Sequence, residues 1–457
     1  MSKQFLLLIA TLCSITLNLA ITPIAYAYEG DDGGAAASGA AEYDNQNYSE
    51  QNYNDQYAPA PVATSGTVTE VPPLANGTSE NCCPKFPVGI IVDPTFSQVV
   101  GASLYITLLR GYQAIDDNYF PDSQGDRSAF TVLGRLGKWI VEDIILSTGM
   151  VAQHEIFGHG ARGREFKLRI TDYQVLPYKG YTEFTASSYN RLYPNEKIAL
   201  NAAGMEGTGI LAKRIRDYWL ASKFIDEREA HSYAINYLDQ TLYALNTKKE
   251  PNNTNTGNDI KGYVREINSW YGKQVLSVRE LRQTILWDLL DPYLWYSYYS
   301  MAMYIFDGSK CFEYPMIPIG DYQYLPGVRI LLAPYGFEYQ LNNYIRSAEN
   351  TIQARFRYGR TDNRRSWGAS LEVTRLWTSD LINLDAKAEI WNQPRLFKGN
   401  AGEATSKLGA GLWGTLRWCV NNQIELLGQI GYKSSGYVPG EPLNHGTIIR
   451  AGFNLNI

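Results

Sequence analysis

The sequence predicts an α+β protein, a helical unit followed by an antiparallel β-barrel of about eight strands. Two observations carry this expectation. From residue 84 to about residue 308 the apolar residues recur mostly at helical spacing, and beyond Gly308 they alternate with polar ones. The alternating segments are about nine to thirteen residues long and are joined by short polar turns such as Gly359-Arg360-Thr361-Asp362-Asn363. Those are the dimensions of transmembrane β-hairpins.

The chain opens with Met-Ser-Lys, an apolar run from Phe5 to Ala20 and then Ala25-Tyr26-Ala27. This pattern predicts a secretory signal peptide over residues 1–27 and hence an exported protein. Residues 28–80 are rich in Gly, Ala, Ser, Asn, Gln and Tyr, and no Lys or Arg occurs between Lys3 and Lys85. Such a segment has too few aliphatic residues to bury a core and reads as an acidic, disordered tether. An adhesive role for its tyrosines is the alternative. Cys82-Cys83 stands at the start of the folded part, and export allows one of the pair to bridge to Cys311, although the sequence does not fix the partner. A net charge of −5 and the lack of a basic run argue against a nucleic-acid partner.

Within the helical unit, residues 81–310, the first amphipathic helix is expected over residues 94–114 and a second over residues 130–159. Residues 168–184, with Pro177 and Gly180, predict a short strand pair. Further helices are expected over 194–222, 226–245 and 277–306, with a loop over the Asn- and Thr-rich residues 248–262. The aromatic run from Tyr293 to Tyr299 reads either as a belt at a membrane interface or as core packing.

In residues 311–457 eight strands are expected: 327–335, 336–347, 351–360, 366–377, 383–391, 406–418, 423–432 and 446–457. Leu412, Gly414, Leu416 and Trp418 fall on one face of their strand, and Trp413, Thr415 and Arg417 on the other. The last strand resembles the C-terminal strand of bacterial outer-membrane barrels, with Ile457 where those usually end in Phe or Trp. These features predict an outer-membrane location with lipid as a partner. A soluble sheet in a periplasmic or secreted protein is the alternative.

The chemistry is concentrated in Val151-Ala152-Gln153-His154-Glu155-Ile156-Phe157-Gly158-His159-Gly160, which holds two of the chain's four histidines. On a regular α-helix His154 and His159 would stand about 140° apart, too far to share one ion. A π turn brings residues five apart to one side, and Gly158 eases that distortion. Two imidazoles beside a carboxylate are the donor set of Zn²⁺. His154 and His159 are therefore the expected metal ligands, and Glu155 the expected base that takes a proton from water. A third ligand is needed. Glu206 is the leading candidate, a carboxylate in the small-residue helix Ile198-Ala199-Leu200-Asn201-Ala202-Ala203-Gly204-Met205-Glu206-Gly207, where burial is costly unless it is paired. Asp291 and the group Glu227, Glu229 and His231 remain open as alternatives.

His154-Glu155-Ile156-Phe157-Gly158-His159 resembles the HExxGH motif of the dipeptidyl peptidase III family of zinc exopeptidases. The order of motif helix, strand pair and carboxylate helix is also similar to that of gluzincin metallopeptidases. The resemblance implies peptide-bond hydrolysis, with a peptide or protein substrate laid along the strand pair. It also implies that Tyr173, Tyr178 or Tyr181 steadies the tetrahedral intermediate. The competing expectation is a structural or adhesion protein of the outer membrane, with a structural metal or none.

Overall fold

The computed structural model describes residues 88–120, 124–251, 257–396, 405–421 and 423–455. The signal peptide, the acidic tether and Cys82-Cys83 lie outside these residues. Cys311 is disulfide-bonded, and Cys419 is free.

Strand β1 (Val88–Val92) leads into helices α1 (Gln98–Tyr119) and α2 (Ala129–His154). The side chain of Ser128 accepts from Thr131 N–H and so caps α2. A π turn over Glu155–His159 continues α2 into the short α3 (Gly160–Glu165). The hairpin β2 (Ile170–Leu176) and β3 (Lys179–Phe184) follows, then α4 (Pro194–Ser222), which begins at a proline whose missing N–H costs nothing there. The short strand β4 (Phe224–Asp226) precedes α5 (Glu227–Asn246) and α6 (Asp259–Tyr271).

The expected loop over residues 248–262 is thus shorter than the composition suggests. Asn258 caps α6 by accepting from Lys261 N–H, and Ile260, Tyr263, Val264 and Ile267 bury one helical face. The single helix expected over 277–306 is three pieces. They are α7 (Val278–Thr284), a 3₁₀ turn over Ile285–Leu290, and α8 (Pro292–Asp307). Pro292 causes the break before α8, because the residue before a proline is pushed out of the helical region, and Asp291 has ψ of 122°.

Strands β5 (Cys311–Glu313) and β4 make a small two-stranded patch. The large sheet holds β6 (Ile317–Ile319), β7 (Tyr322–Ala333), β8 (Gly336–Arg346), β9 (Thr351–Thr361) and β10 (Arg364–Thr378). It continues with β11 (Ile382–Pro394), β12 (Ser406–Cys419), β13 (Ile424–Lys433) and β14 (Gly446–Leu455). All eight expected strands are present as β7 to β14. The sheet nevertheless has ten strands, because β1 pairs with β14 and β6 with β7. β1 and β6 lie at its two edges and do not pair, so the sheet is open rather than the closed barrel of about eight strands.

The sheet is apolar outside and polar inside. On β12, Leu412 is 65% exposed while Arg417 is 1% exposed, and Leu416 and Trp418 face out with Leu412. Phe356 and Tyr358 of β9 are exposed, while Arg357 between them and Gln353 on the same side as Arg357 are buried. The inward charges are paired: Arg357 with Glu338 and Glu389, Arg417 with Asp385, Arg450 with Glu441. The helices supply the main core, where Trp139, Trp219, Tyr233, Tyr237 and Tyr293 pack together.

Candidate metal centre

The spacing of His154 and His159 is resolved by the π turn. It places the two Nε2 atoms 3.3 Å apart, and Asp259 Oδ2 stands 3.0 Å from each. Tetrahedral coordination at about 2.0–2.1 Å puts ligand atoms roughly 3.3 Å from one another. The three donors therefore already stand at ligand spacing.

The far side of each ring is committed. His154 Nδ1 lies 2.8 Å from Asp239 Oδ2, which also accepts from Thr208 Oγ1. His159 Nδ1 lies 2.8 Å from the Leu200 carbonyl. A carbonyl can only accept, so His159 carries its proton on Nδ1, and the carboxylate asks the same of His154. Both neutral rings then turn lone pairs toward Asp259, so three acceptors face each other and demand a cation, whether a proton or a metal. Carboxylate and carbonyl partners on the outer nitrogens are the usual support of metal-binding histidines.

The surrounding chain is cut to fit. Gly158 packs on Ala203 and Gly204, and a Cβ at Gly204 would collide with the His154 ring. Asp259 is the first residue of α6, and its N–H donates to Tyr243 Oη over 3.0 Å.

Burial opposes charge on both histidines, but the neighbouring carboxylates outweigh it. Asp239 and Asp259 hold His154 well above the ordinary histidine range, and Asp259 raises His159. Burial would raise Asp259, yet the two histidines hold it far below the usual carboxylate range. Glu155 is also buried, which raises its pKa against the pull of His159 and His154. Its Oε2 accepts from Thr182 Oγ1 of β3 at 2.8 Å.

Glu206, the expected third ligand, is elsewhere. It receives Arg162 Nη2 at 2.7 Å and the N–H of Gly440 at 2.9 Å. The physical reason is rotation along α4: Gly204 faces the motif, and two residues on the helix has turned about 200°. The glycines that mark this stretch serve the close approach of the π turn, not a ligand. Asp291 caps α8 and accepts from the N–H groups of Tyr293 and Val328. Glu229 pairs with Arg110, and His231 pairs with Asp143 and stacks on Trp139. Of the three tyrosines, Tyr173 bonds Arg164, Tyr178 bonds Asp143 and Tyr181 bonds Asp172. Sequence reasoning missed Asp259, Asp239 and Thr182. Only Asp259 had a readable signal, an acidic residue after an Asn cap and before a helical apolar pattern.

A second group, Asp116, Glu142 and Glu227, also has the spacing to hold a metal. Lys138 Nζ already lies among these carboxylates, 2.7 Å from Asp116, 3.5 Å from Glu142 and 3.8 Å from Glu227. Arg228 and Lys310 also reach Asp116. Compared with known proteins, the chain matches no family model, no curated protein and no solved structure.

Proposed function

We propose that the protein is a zinc-dependent peptidase held in an outer membrane by the apolar outer face of its sheet. The observation that carries the reading is the convergence of His154 Nε2, His159 Nε2 and Asp259 Oδ2 beside Glu155. Two imidazoles and one carboxylate suit zinc, and three protein ligands among the described residues leave a position open, as catalytic sites do. A structural site would be closed by a fourth.

Zinc bound there would act as a Lewis acid, polarising the substrate carbonyl and lowering the pKa of water. Glu155 takes one proton from the attacking water as its oxygen bonds to the carbonyl carbon. As the C–N bond breaks, Glu155 gives that proton to the leaving nitrogen, so the products are a carboxylic acid and an amine. Its raised pKa suits both halves of this exchange. Thr182 holds the carboxylate, and Asp239 and Leu200 hold the two rings. Among the described residues β3 pairs with β2 alone, and in this reading its other edge takes an extended peptide next to Glu155. The sheet supports anchorage because its paired charges Arg357, Arg417 and Arg450 are buried on one face while Leu371, Leu412, Leu416, Trp418, Phe356 and Ile430 are exposed on the other, the arrangement of lipid-facing strands.

The test is metal content and peptide hydrolysis of full-length protein purified without chelator, for wild type, His154→Ala, Asp259→Ala and Glu155→Gln. About one zinc per wild-type chain is expected. It should be lost in the first two variants and kept in Glu155→Gln, with hydrolysis lost in all three. Wild-type protein without metal, or an active Glu155→Gln, overturns the reading.

A further inference from the structure

An open sheet cannot stand in lipid, because the backbone groups of its edges would go unsatisfied. Here side chains of the helical unit satisfy backbone groups along β1 and along the part of β7 that β6 leaves uncovered. At β1, Ile91 N–H donates to Ser103 Oγ of α1, and Ser103 and Thr107 donate to the Gly89 carbonyl. At β7, beyond the short β6, Val328 N–H donates to Asp291 and Ile330 N–H to Asp288. The carbonyls of the same two residues accept from Tyr237 and Gln240 of α5. From edge to edge the gap is bridged by contact, β1 to α1, α1 to α2, α2 to α8, and the 3₁₀ turn and α8 to β7.

The bridging helices are inverted like the strands. Every exposed residue of α1 from Gln98 to Asp116 is Leu, Ile, Gly or Ala: Leu104, Leu108, Gly111, Ala114 and Ile115. On α2 the exposed positions from Phe130, itself 88% exposed, to Ile145 are Phe, Leu, Gly, Ile and Val only. The opposite faces carry Asp116, Arg135, Glu142 and Asp143, all buried. Leu286, Trp287, Leu290 and Trp295 continue the exposed apolar surface toward β7.

We infer that α1, α2 and α8 are helical staves in the wall that the ten-stranded sheet leaves incomplete, and that their outer faces contact the acyl chains of the same membrane. This rests on the proposed membrane anchorage and extends it to the helical unit. The lengths agree: Phe130 to Ile145 rises about 22 Å and Leu104 to Tyr119 about 22 Å, against a lipid-facing band of about 25 Å on outer-membrane barrels, and the exposed Asp117 and Asn118 of α1 fall at the girdle end of that span, Asp117 being paired with Arg228. Tyr119, Phe120 and Phe130, all exposed, gather at one end of both helices, where an aromatic girdle belongs. No helix among the described residues is apolar enough all round to cross a membrane. A stave needs only one apolar face, since the other packs on protein. The metal centre then stands beyond the opposite rim, about 13 Å along the helix axis from Ile145 to His154.

The experiment places an environment-sensitive fluorophore on single cysteines, Ile144→Cys on α2, Leu108→Cys on α1, Leu412→Cys on β12 and Ser187→Cys as a reference. It uses the full chain with its unpaired native cysteines changed to serine, reconstituted into phospholipid vesicles carrying a doxyl-labelled lipid. Quenching at 144 and 108 should match that at 412 within about twofold, and position 187 should instead be quenched by aqueous iodide. Lipid quenching at 412 but not at 144 or 108 overturns the helical staves and leaves the sheet as anchor, with a second protein copy or water on the helices. No lipid quenching at 412 overturns the anchorage itself. Two helix positions guard against one variant failing to fold.

Discussion

His154, His159 and Asp259 meet one another directly, whereas Asp116, Glu142 and Glu227 converge around the ammonium of Lys138. Both groups have the spacing of a metal site. One presents lone pairs with their far sides already committed to acceptors, and the other carries its own cations. Ligand spacing alone does not separate a metal centre from an ion network; the question is whether the chain supplies the counter-charge itself.

The comparison is tested hardest on the Lys138 side. Lys138→Met removes the cation from a buried acidic group, and breaking a buried ion pair by removing one partner typically costs about 3–5 kcal/mol. Thermal or denaturant unfolding of the metal-free protein in detergent should show a loss of this order. Metal content should stay as in wild type. A Lys138→Met protein that takes up a second metal ion and regains its stability would make the second group a latent metal site and erase the distinction.

A smaller effect is expected at the metal centre from Asp239→Asn, which keeps the shape of the partner of His154 Nδ1 but not its charge. Loss of such outer support typically costs 10–100-fold in metal affinity. Competition with a chromophoric chelator measures this, and an unchanged affinity would show that Asp239 merely fills space beside the ring.

Much of this was legible. The five-residue spacing of His154 and His159 pointed to a π turn, because an i→i+5 turn brings both rings to one side. The eight long strands announced themselves through alternation, since a sheet with unlike faces must repeat every two residues. What was not legible has physical causes. Glu206 attracted attention through its glycine neighbours, which serve the packing of Gly158 on Gly204. Asp259 comes from a helix more than 90 residues downstream of the motif, and no local pattern encodes which carboxylate a tertiary contact will deliver. The open sheet was hidden because β1 and β6 are only five and three residues long. The inverted faces of α1 and α2 were hidden because amphipathicity shows that a helix has two faces, not which one turns outward.

The pH dependence of the metal centre offers the finest test. In the metal-free protein the folded state raises the pKa of His154 and His159, so their protonated forms stabilise it. That contribution is full below the unfolded histidine value of about 6.5 and is lost as pH rises through the higher folded values. Asp259 is lowered, so its contribution is present above the unfolded value and fails only as pH falls through the folded one, at strongly acid pH. In metal-loaded protein the ion takes the place of the proton, and affinity rises with pH because the ligands must be deprotonated. As pH rises above the unfolded histidine value of about 6.5, the metal-free protein therefore loses stability at this site while the loaded protein keeps it. The difference in Tm between zinc-loaded and chelator-treated samples should widen as pH rises through the folded histidine values. In Asp259→Asn the widening should shrink, because the carboxylate that raises both histidines is gone. A gap that fails to widen with rising pH would mean that the histidines are neutral before metal arrives, and that no proton holds the cation's place beside Asp259.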